Sequence, residues 1–359
     1  FDMIGTRLGF LLSIVVWSIS IALHAVVRTA GAFGIVRFTL ALGEAGNWPG
    51  ATKANAEWFP IKQRALAQGI FNSGASIGAV VSAPLIALLY LTIGWKATFV
   101  AIAVLGFIWI IPWLILYRAD PDHHPWITDE ERQFILEGQK FQKEGGEDVD
   151  QYAPSWMEML RYRQSWAVIL SRFFLDPVWW LFVSWLPIYL AEEFGFDVKQ
   201  IGLFAWVPYV GAAAGSIFGG WLAGLLIRRG WSVNKTRKFI ITVGGVIMLP
   251  TLLLTAYAAT PLAAVLEIAV ILFGFQMAIG NIQTLPSDFF SGKSVGSLAG
   301  VGGTAAVVGV LITIWLVPVI TRESYAPFFI LGAALVPLAI AAVWILGGQI
   351  EPVKEKSRD

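Results

Sequence analysis

The sequence has no cysteine. That excludes disulfides, thiolate nucleophiles and cysteine-ligated metals, and it removes any redox signature of the compartment. Charge is also scarce. Only 14% of the 359 residues are Asp, Glu, Lys or Arg, against about a quarter in a water-soluble domain, so the chain lacks the polar surface that water requires. The net charge of +1 offers no basic face to a nucleic acid. Of the three histidines, His123 and His124 adjoin Asp122 and read as a solvated loop, while His24 reads as interfacial; a metal site needs more convergent ligands. No glycine-rich nucleotide loop is present, because Gly300-Val301-Gly302-Gly303 lies inside an apolar run. Neither metal nor cofactor is expected. What fills the chain is apolar: 57% hydrophobic residues, a mean hydropathy of +0.70, and 17 Trp, many near the ends of apolar runs where interfacial anchors sit.

A helix needs about 20 apolar residues to cross the hydrocarbon core. Ten runs are candidates, at about 8–28, 31–52, 65–93, 97–117, 170–191, 201–227, 239–260, 261–286, 294–321 and 325–348. They are too long for barrel strands and lack the barrel's alternation. The expected fold class is therefore an all-α polytopic membrane protein. Positive charge orients it. Arg7, Lys53, Lys62, Arg64, Arg118, Arg228, Arg229, Lys235, Arg237, Lys238, Lys293, Lys354, Lys356 and Arg358 all fall on one side, the cytoplasmic one. The expected setting is the inner membrane, with lipid around a monomer. The polar stretch 118–165 separates four spans from six. Within it Thr128-Asp129-Glu130-Glu131 reads as a capping box opening a helix to about Gly138, and 156–162 as an amphipathic surface helix. The expected domains are a bundle at 1–117, a linker at 118–165 and a bundle at 166–359.

The two bundles carry a repeat. A cytoplasmic turn at 2–7 precedes four spans, and a turn running from Gly219-Gly220-Trp221-Leu222-Ala223-Gly224 to Arg228-Arg229-Gly230 precedes four more. Two helices stand before the second turn and none before the first. Parallel six-helix repeats are a transporter plan, so the expectation is a twelve-helix design with its first two helices lacking and ten present.

Short motifs recur in a fixed order. Asp2-Met3-Ile4-Gly5-Thr6-Arg7 precedes the first span. Arg37 to Glu44 with Gly43-Glu44-Ala45, then Glu57-Trp58-Phe59-Pro60, Gln63-Arg64, Asn72-Ser73-Gly74, Ser76-Ile77-Gly78, Pro84-Leu85, Gly94-Trp95-Lys96 and Tyr117-Arg118 follow. Later come Ile127-Thr128-Asp129-Glu130-Glu131-Arg132, Arg172 to Pro177, Trp185-Leu186-Pro187, Gly195-Phe196 and Phe204 to Pro208. This order resembles the major facilitator superfamily, and within it the anion:cation symporter family; the second half is most similar to that family's hexuronate-transporter branch. One position departs: the family's turn motif carries Asp-Arg, whereas Met3 follows Asp2 here. The resemblance implies a fold of two helical bundles and secondary transport of an anionic sugar acid together with a proton or sodium, and no enzymatic activity. Galactonate or glucarate are alternative substrates.

A charge inside a membrane helix is costly and functional by default. Arg37 and Glu44 lie seven residues apart on one face of the second span, roughly 10 Å along the axis. An Arg offers a planar fork matched to a carboxylate. With the family pattern, this places substrate binding at Arg37 and proton coupling at Glu44; the alternative is a structural ion pair. Arg172 and Asp176, at i and i+4, read as gating or structural at the cytoplasmic end of their span, and so do Asp2, Arg7 and Asp288. Asn47, Asn72, Ser73, Ser76, Gln276, Asn281, Gln283 and Thr304 are the in-span polar residues available to sugar hydroxyls, with Asn72, Ser73, Gln276 and Asn281 foremost, and Trp48, Trp179, Trp180, Trp206 and Tyr209 are candidates for a ring face, although packing competes for each aromatic. Gly211, Gly215, Gly219 and Gly220 read as close helix packing. Glu267 has no role assigned.

Overall fold

The structure, a computed structural model, describes residues 3–118, 121–139, 154–197, 200–201, 204–291 and 294–353. Thirteen α-helices occur among them: α1 (Thr6–Leu23), α2 (Ala30–Glu44), α3 (Asn47–Trp58), α4 (Ile61–Leu116), α5 (Asp129–Gln139), α6 (Trp156–Met159), α7 (Arg163–Phe194), α8 (Val207–Arg228), α9 (Val233–Thr255), α10 (Pro261–Ile282), α11 (Leu285–Phe289), α12 (Val295–Ile320) and α13 (Ala326–Gly347). Eight helical segments of the described residues are long and apolar enough to cross a membrane. The expected spans 31–52 and 65–93 are helical as well, but in other forms. The first is split at Ala45-Gly46 into α2 and α3. Pro49 accounts for the break, since a proline ring clashes with the carbonyl four residues back, here that of Ala45.

The second is one limb of α4. A straight helix of 56 residues would reach about 84 Å at 1.5 Å per residue, far beyond a core about 30 Å thick. Gly94 resolves this with φ 73° and ψ 166°, a left-handed conformation that favours glycine. The chain reverses there, because both ends of α4 return to one place: Tyr117, just past its end, donates a hydrogen bond to Glu57 at 2.5 Å, four residues before its start.

Helices α1 to α4 pack on one another, with α1 against α2, α3 and α4. Helices α7 to α13 form a second group, in which α7 is flanked by α10, α12 and α13, and α10 by α8 and α9. The expected small-residue contacts are present. A Cβ on Gly211 or Gly215 would meet the carbonyl oxygens of Ala269 or Phe273 of α10, and one on Gly220 would meet the Ala65 carbonyl of α4. The two groups touch through α4 along α8, α3 against α11 and α12, and α4 against α10. Ser216 donates to the Gly69 carbonyl at 2.5 Å in this seam.

Three readings of polar segments change. His24 is buried rather than interfacial, its ring stacked at 5.0 Å on Phe99 of α4 and edge-on to Phe33. His124 is also buried, donating from Nε2 to the Leu116 carbonyl at 3.0 Å beside Trp58; the loop folds back over the end of α4 instead of standing in solvent. The helix expected over 156–162 closes after one turn, α6, under a Ser155–Glu158 capping box. Helix α5 keeps its expected start, with the Thr128 hydroxyl accepting from the Glu131 N–H, and Gln139 ties it to the Glu57 carbonyl at 2.6 Å.

Candidate functional site

Between the two groups lies a cavity of about 290 Å³, walled by α3, α4, α7, α10 and α12. Its cation is Arg172. Helix α7 begins at Arg163, seven residues before the expected span, because Arg163-Gln164-Ser165 continues the helix despite its polarity. Arg172 consequently lies about two and a half turns inside the helix, not at its end. Its Nε donates to Asp176 Oδ2 at 2.9 Å, and both side chains retain 11% exposure. The guanidinium's Nη1 and Nη2 make no hydrogen bond among the described residues, and Nη1 stands 3.5 Å from the place a Cβ would take on Gly303. Asp176 thus fixes one edge of the guanidinium and leaves the fork open. That geometry suits two parallel bonds to a carboxylate.

The remaining wall is amide and aromatic. Asn72, Gln276 and Gln283 line the cavity. The Gln276 Oε1 is buried without a hydrogen-bond partner, which leaves an acceptor open to a hydroxyl. Asn72 Nδ2 donates to Gln283 Oε1 at 2.8 Å, and Gln68 Nε2 donates to the same oxygen at 2.9 Å. Trp48 is edge-on to Phe71 at 5.1 Å, and Trp179 stacks on Phe275 at 5.7 Å; Trp48, Trp179 and Trp180 give the cavity broad apolar faces. Polar convergence on an apolar lining is the usual composition of a small-molecule site.

The sequence-predicted residues divide. Trp48, Asn72, Gln276, Arg172 and Asp176 line the cavity. Arg37 and Glu44 do not; both are exposed on α2, although Glu44 immediately precedes the cavity residue Ala45. Ser73 is buried with its hydroxyl turned back to the Ile70 carbonyl. Tyr209 stands behind the wall, 5.8 Å edge-on to Trp179, and Trp206 is exposed. Asn281 and Asp288 serve Arg237: Arg237 Nε donates to Asp288 Oδ2 at 2.8 Å and Nη1 to Asn281 Oδ1 at 3.4 Å, with neither charged side chain exposed. Arg7 donates to the Leu114 carbonyl. Asp2 lies outside the described residues. Glu267 does not line the cavity, and its Oε2 is buried without a partner. Gln283, Thr304, Trp179 and Trp180, also singled out in the sequence, line the cavity too, and the residue missed is Gln68. Its signal was present as spacing, since Gln68 and Asn72 stand at i, i+4 on one helix face.

Comparison with known proteins adds ancestry to this geometry. The family description Major Facilitator Superfamily matches residues 1–314. The hexuronate transporter of Escherichia coli K12 is 32% identical over 346 residues, covering 96% of this chain and 79% of that one. The galacturonate transporter of Dickeya chrysanthemi is 33% identical over 250 residues, covering 69% and 71% of the two chains. Among solved structures, the human organic anion transporter MFSD10 superposes with a TM-score of 0.66 at 16% identity over 96% of this chain and 78% of that one. A proton:xylose symporter reaches 0.68 at 14%, over 96% and 80%.

Proposed function

The chain belongs to the Major Facilitator Superfamily, a multi-pass transporter of the cytoplasmic membrane, and from that premise we propose that it moves an anionic sugar acid, a hexuronate, by proton symport with alternating access. The observation that carries this reading is the half-used guanidinium of Arg172 inside a cavity between two helix groups. The substrate carboxylate takes the open fork, sugar hydroxyls take the amides of Asn72 and Gln276, and the ring lies against tryptophan. The substrates named for the relatives, hexuronate and galacturonate, are sugar carboxylates. Galactonate and glucarate, named for other relatives at 32% and 28% identity, fit the same chemistry and are the second reading.

Coupling is assigned to Glu44, with Arg37 as its counter-charge two turns away and a second attraction for the anion. A bound carboxylate brings negative charge toward Glu44 and draws on Arg37, so proton and substrate favour one another's binding, and linkage makes that reciprocal. Residues 1–117 and 166–359 are taken as the two bodies that rock about the cavity, with 118–165 joining them. The test is uptake of labelled galacturonate by proteoliposomes under an inward proton gradient, with and without unlabelled glucuronate, galactonate and glucarate. Accumulation above equilibrium, inhibited best by glucuronate, is the expected result. Countertransport at saturation distinguishes this carrier from a channel. Accumulation that ignores the proton gradient removes the symport.

A further inference from the structure

The cavity floor is held by an amide cluster that belongs to both helix groups. Asn72 and Gln68 come from α4, and Gln283 follows α10; Asn72 is 1%, Gln68 1% and Gln283 8% exposed. Every hydrogen on the Gln68 amide nitrogen is used, one toward Asn72 Oδ1 at 3.1 Å and one toward Gln283 Oε1 at 2.9 Å. Its oxygen accepts from Asn55 at 2.7 Å. Gln283 Oε1 accepts twice, from Gln68 and from Asn72. The Gln283 amide nitrogen, by contrast, has no hydrogen-bond partner among the described residues. Just below the cluster, Arg64 donates to the Ser287 carbonyl at 2.9 Å, another bond between the groups. The end of the molecule bearing Arg64 is therefore closed by the charge-assisted Arg64–Ser287 bond and by neutral bonds that meet at Gln283, one of them from the cavity residue Asn72.

We infer that the Asn72–Gln283 contact is a latch read by substrate hydroxyls, so that hydroxyl pattern, and not charge, controls opening of the cytoplasmic end. The inference rests on the sugar-acid reading above. A hydroxyl both donates and accepts. Seated between the two amides, it accepts from Asn72 Nδ2 and donates to Gln283 Oε1, replacing one bond that spans the groups with two that each belong to one group and the ligand. The number of satisfied amide atoms does not fall, so exchange carries no penalty of an orphaned buried polar group. A ligand lacking hydroxyls has nothing to exchange, and the contact stays closed however well its carboxylate is bound at Arg172. The partnerless Oε1 of Gln276, on the same face of α10 and roughly 10 Å higher, gives the outer part of the ligand a second hydroxyl partner.

The absence of cysteine makes a direct test simple. Ser287→Cys places one thiol at a buried position beside Arg64, and maleimide labelling in inside-out vesicles reports opening of that end. Galacturonate should speed labelling about fivefold, the population change expected from exchanging one net hydrogen bond. Tetrahydropyran-2-carboxylate, with the same ring size and charge and no hydroxyl, should compete for galacturonate uptake yet leave the labelling rate unchanged. On the same background, Gln283→Leu, which removes the Gln68 bond as well as the Asn72 bond, should label without any ligand at least as fast as the galacturonate-bound parent, and galacturonate should add nothing. Gln283→Asn, whose amide is one methylene shorter, carries the same expectation if the leucine variant does not reach the membrane. Equal acceleration by both ligands overturns the latch, and so does a Gln283→Asn protein that keeps the parent's resting rate and response. If the parent takes up no sugar acid, the substrate reading falls first and this inference with it; if uptake is normal and only the labelling pattern fails, the latch alone is wrong.

Discussion

Two buried Arg–Asp pairs share one chemistry and differ in what surrounds them. Arg237 and Asp288 are wholly enclosed, and the guanidinium also reaches Asn281 while Thr284 adds a hydroxyl to the carboxylate. Arg172 and Asp176 stand a helix turn apart on α7 with 11% exposure each and a fork of unused donors. The first pair joins α9 to α11 and is complete. The second leaves guanidinium donors unused beside the cavity. An ion pair in a membrane protein is thus read from its leftover hydrogen-bonding capacity more than from its distance, which is 2.8 Å in one case and 2.9 Å in the other.

That contrast is breakable. Asp288→Ala should have the largest effect, because it strands a guanidinium with no exposure; removing one partner of a buried pair costs about 3–5 kcal/mol. Thermal unfolding in detergent should show a large drop in midpoint, and an unchanged midpoint would erase the distinction. Arg172→Lys comes next. A point charge cannot replace the fork, so galacturonate uptake should fall by at least about tenfold, or 1.4 kcal/mol, while the unfolding midpoint stays near the parent's. Glu44→Gln sharpens the comparison with a carboxyl in neither pair: pH-driven accumulation should disappear, while counterflow exchange persists within about twofold, because the amide mimics a protonated acid and one bond's net worth bounds the change. Full accumulation by this variant would move coupling elsewhere. Gly303→Ala is the gentlest probe. Its Cβ stands in ordinary contact with Nη1, so stability should hold and the KM for galacturonate should rise by no more than about tenfold, the low end of what one methyl does in a pocket.

The helices were legible because the bilayer imposes one strong rule, a long apolar run, and the chain obeys it. The glycine row of α8 was legible for a related reason, since four-residue spacing of the smallest side chain has one packing meaning. The break at Ala45-Gly46 was not read, although Pro49 marks it, because apolar length alone does not register a missing backbone donor. At the site, Asn72, Gln276 and Trp48 stood out as polar or broad residues in apolar runs. The Arg172–Asp176 pair was seen and set at the wrong depth, because polarity at Arg163-Gln164-Ser165 hid the first turns of α7. Gln283 stood out only as a polar residue in an apolar run; its bond to Asn72, 211 positions away, was not readable, because such a pairing is a property of the seam between two groups that no local pattern encodes.

The reversal at Gly94 also bears on how the chain enters the bilayer in the first place. Between Arg64 and Arg118 the sequence carries a single charge, Lys96, and that ammonium sits 5.5 Å from the Trp95 ring centroid. Carrying a lysine through the centre of the membrane costs about 2.5–3.5 kcal/mol on insertion scales, and the two limbs of α4 together need it done only once. A one-residue turn leaves almost no polar backbone to drag along, because the helical bonds resume on either side. The limbs are thus suited to insertion as a paired hairpin in one event. Replacing Gly94 by a residue with a side chain would act at that step, straining the turn by roughly 1–2 kcal/mol, and its mark would be a loss of membrane-inserted protein rather than a slower transporter.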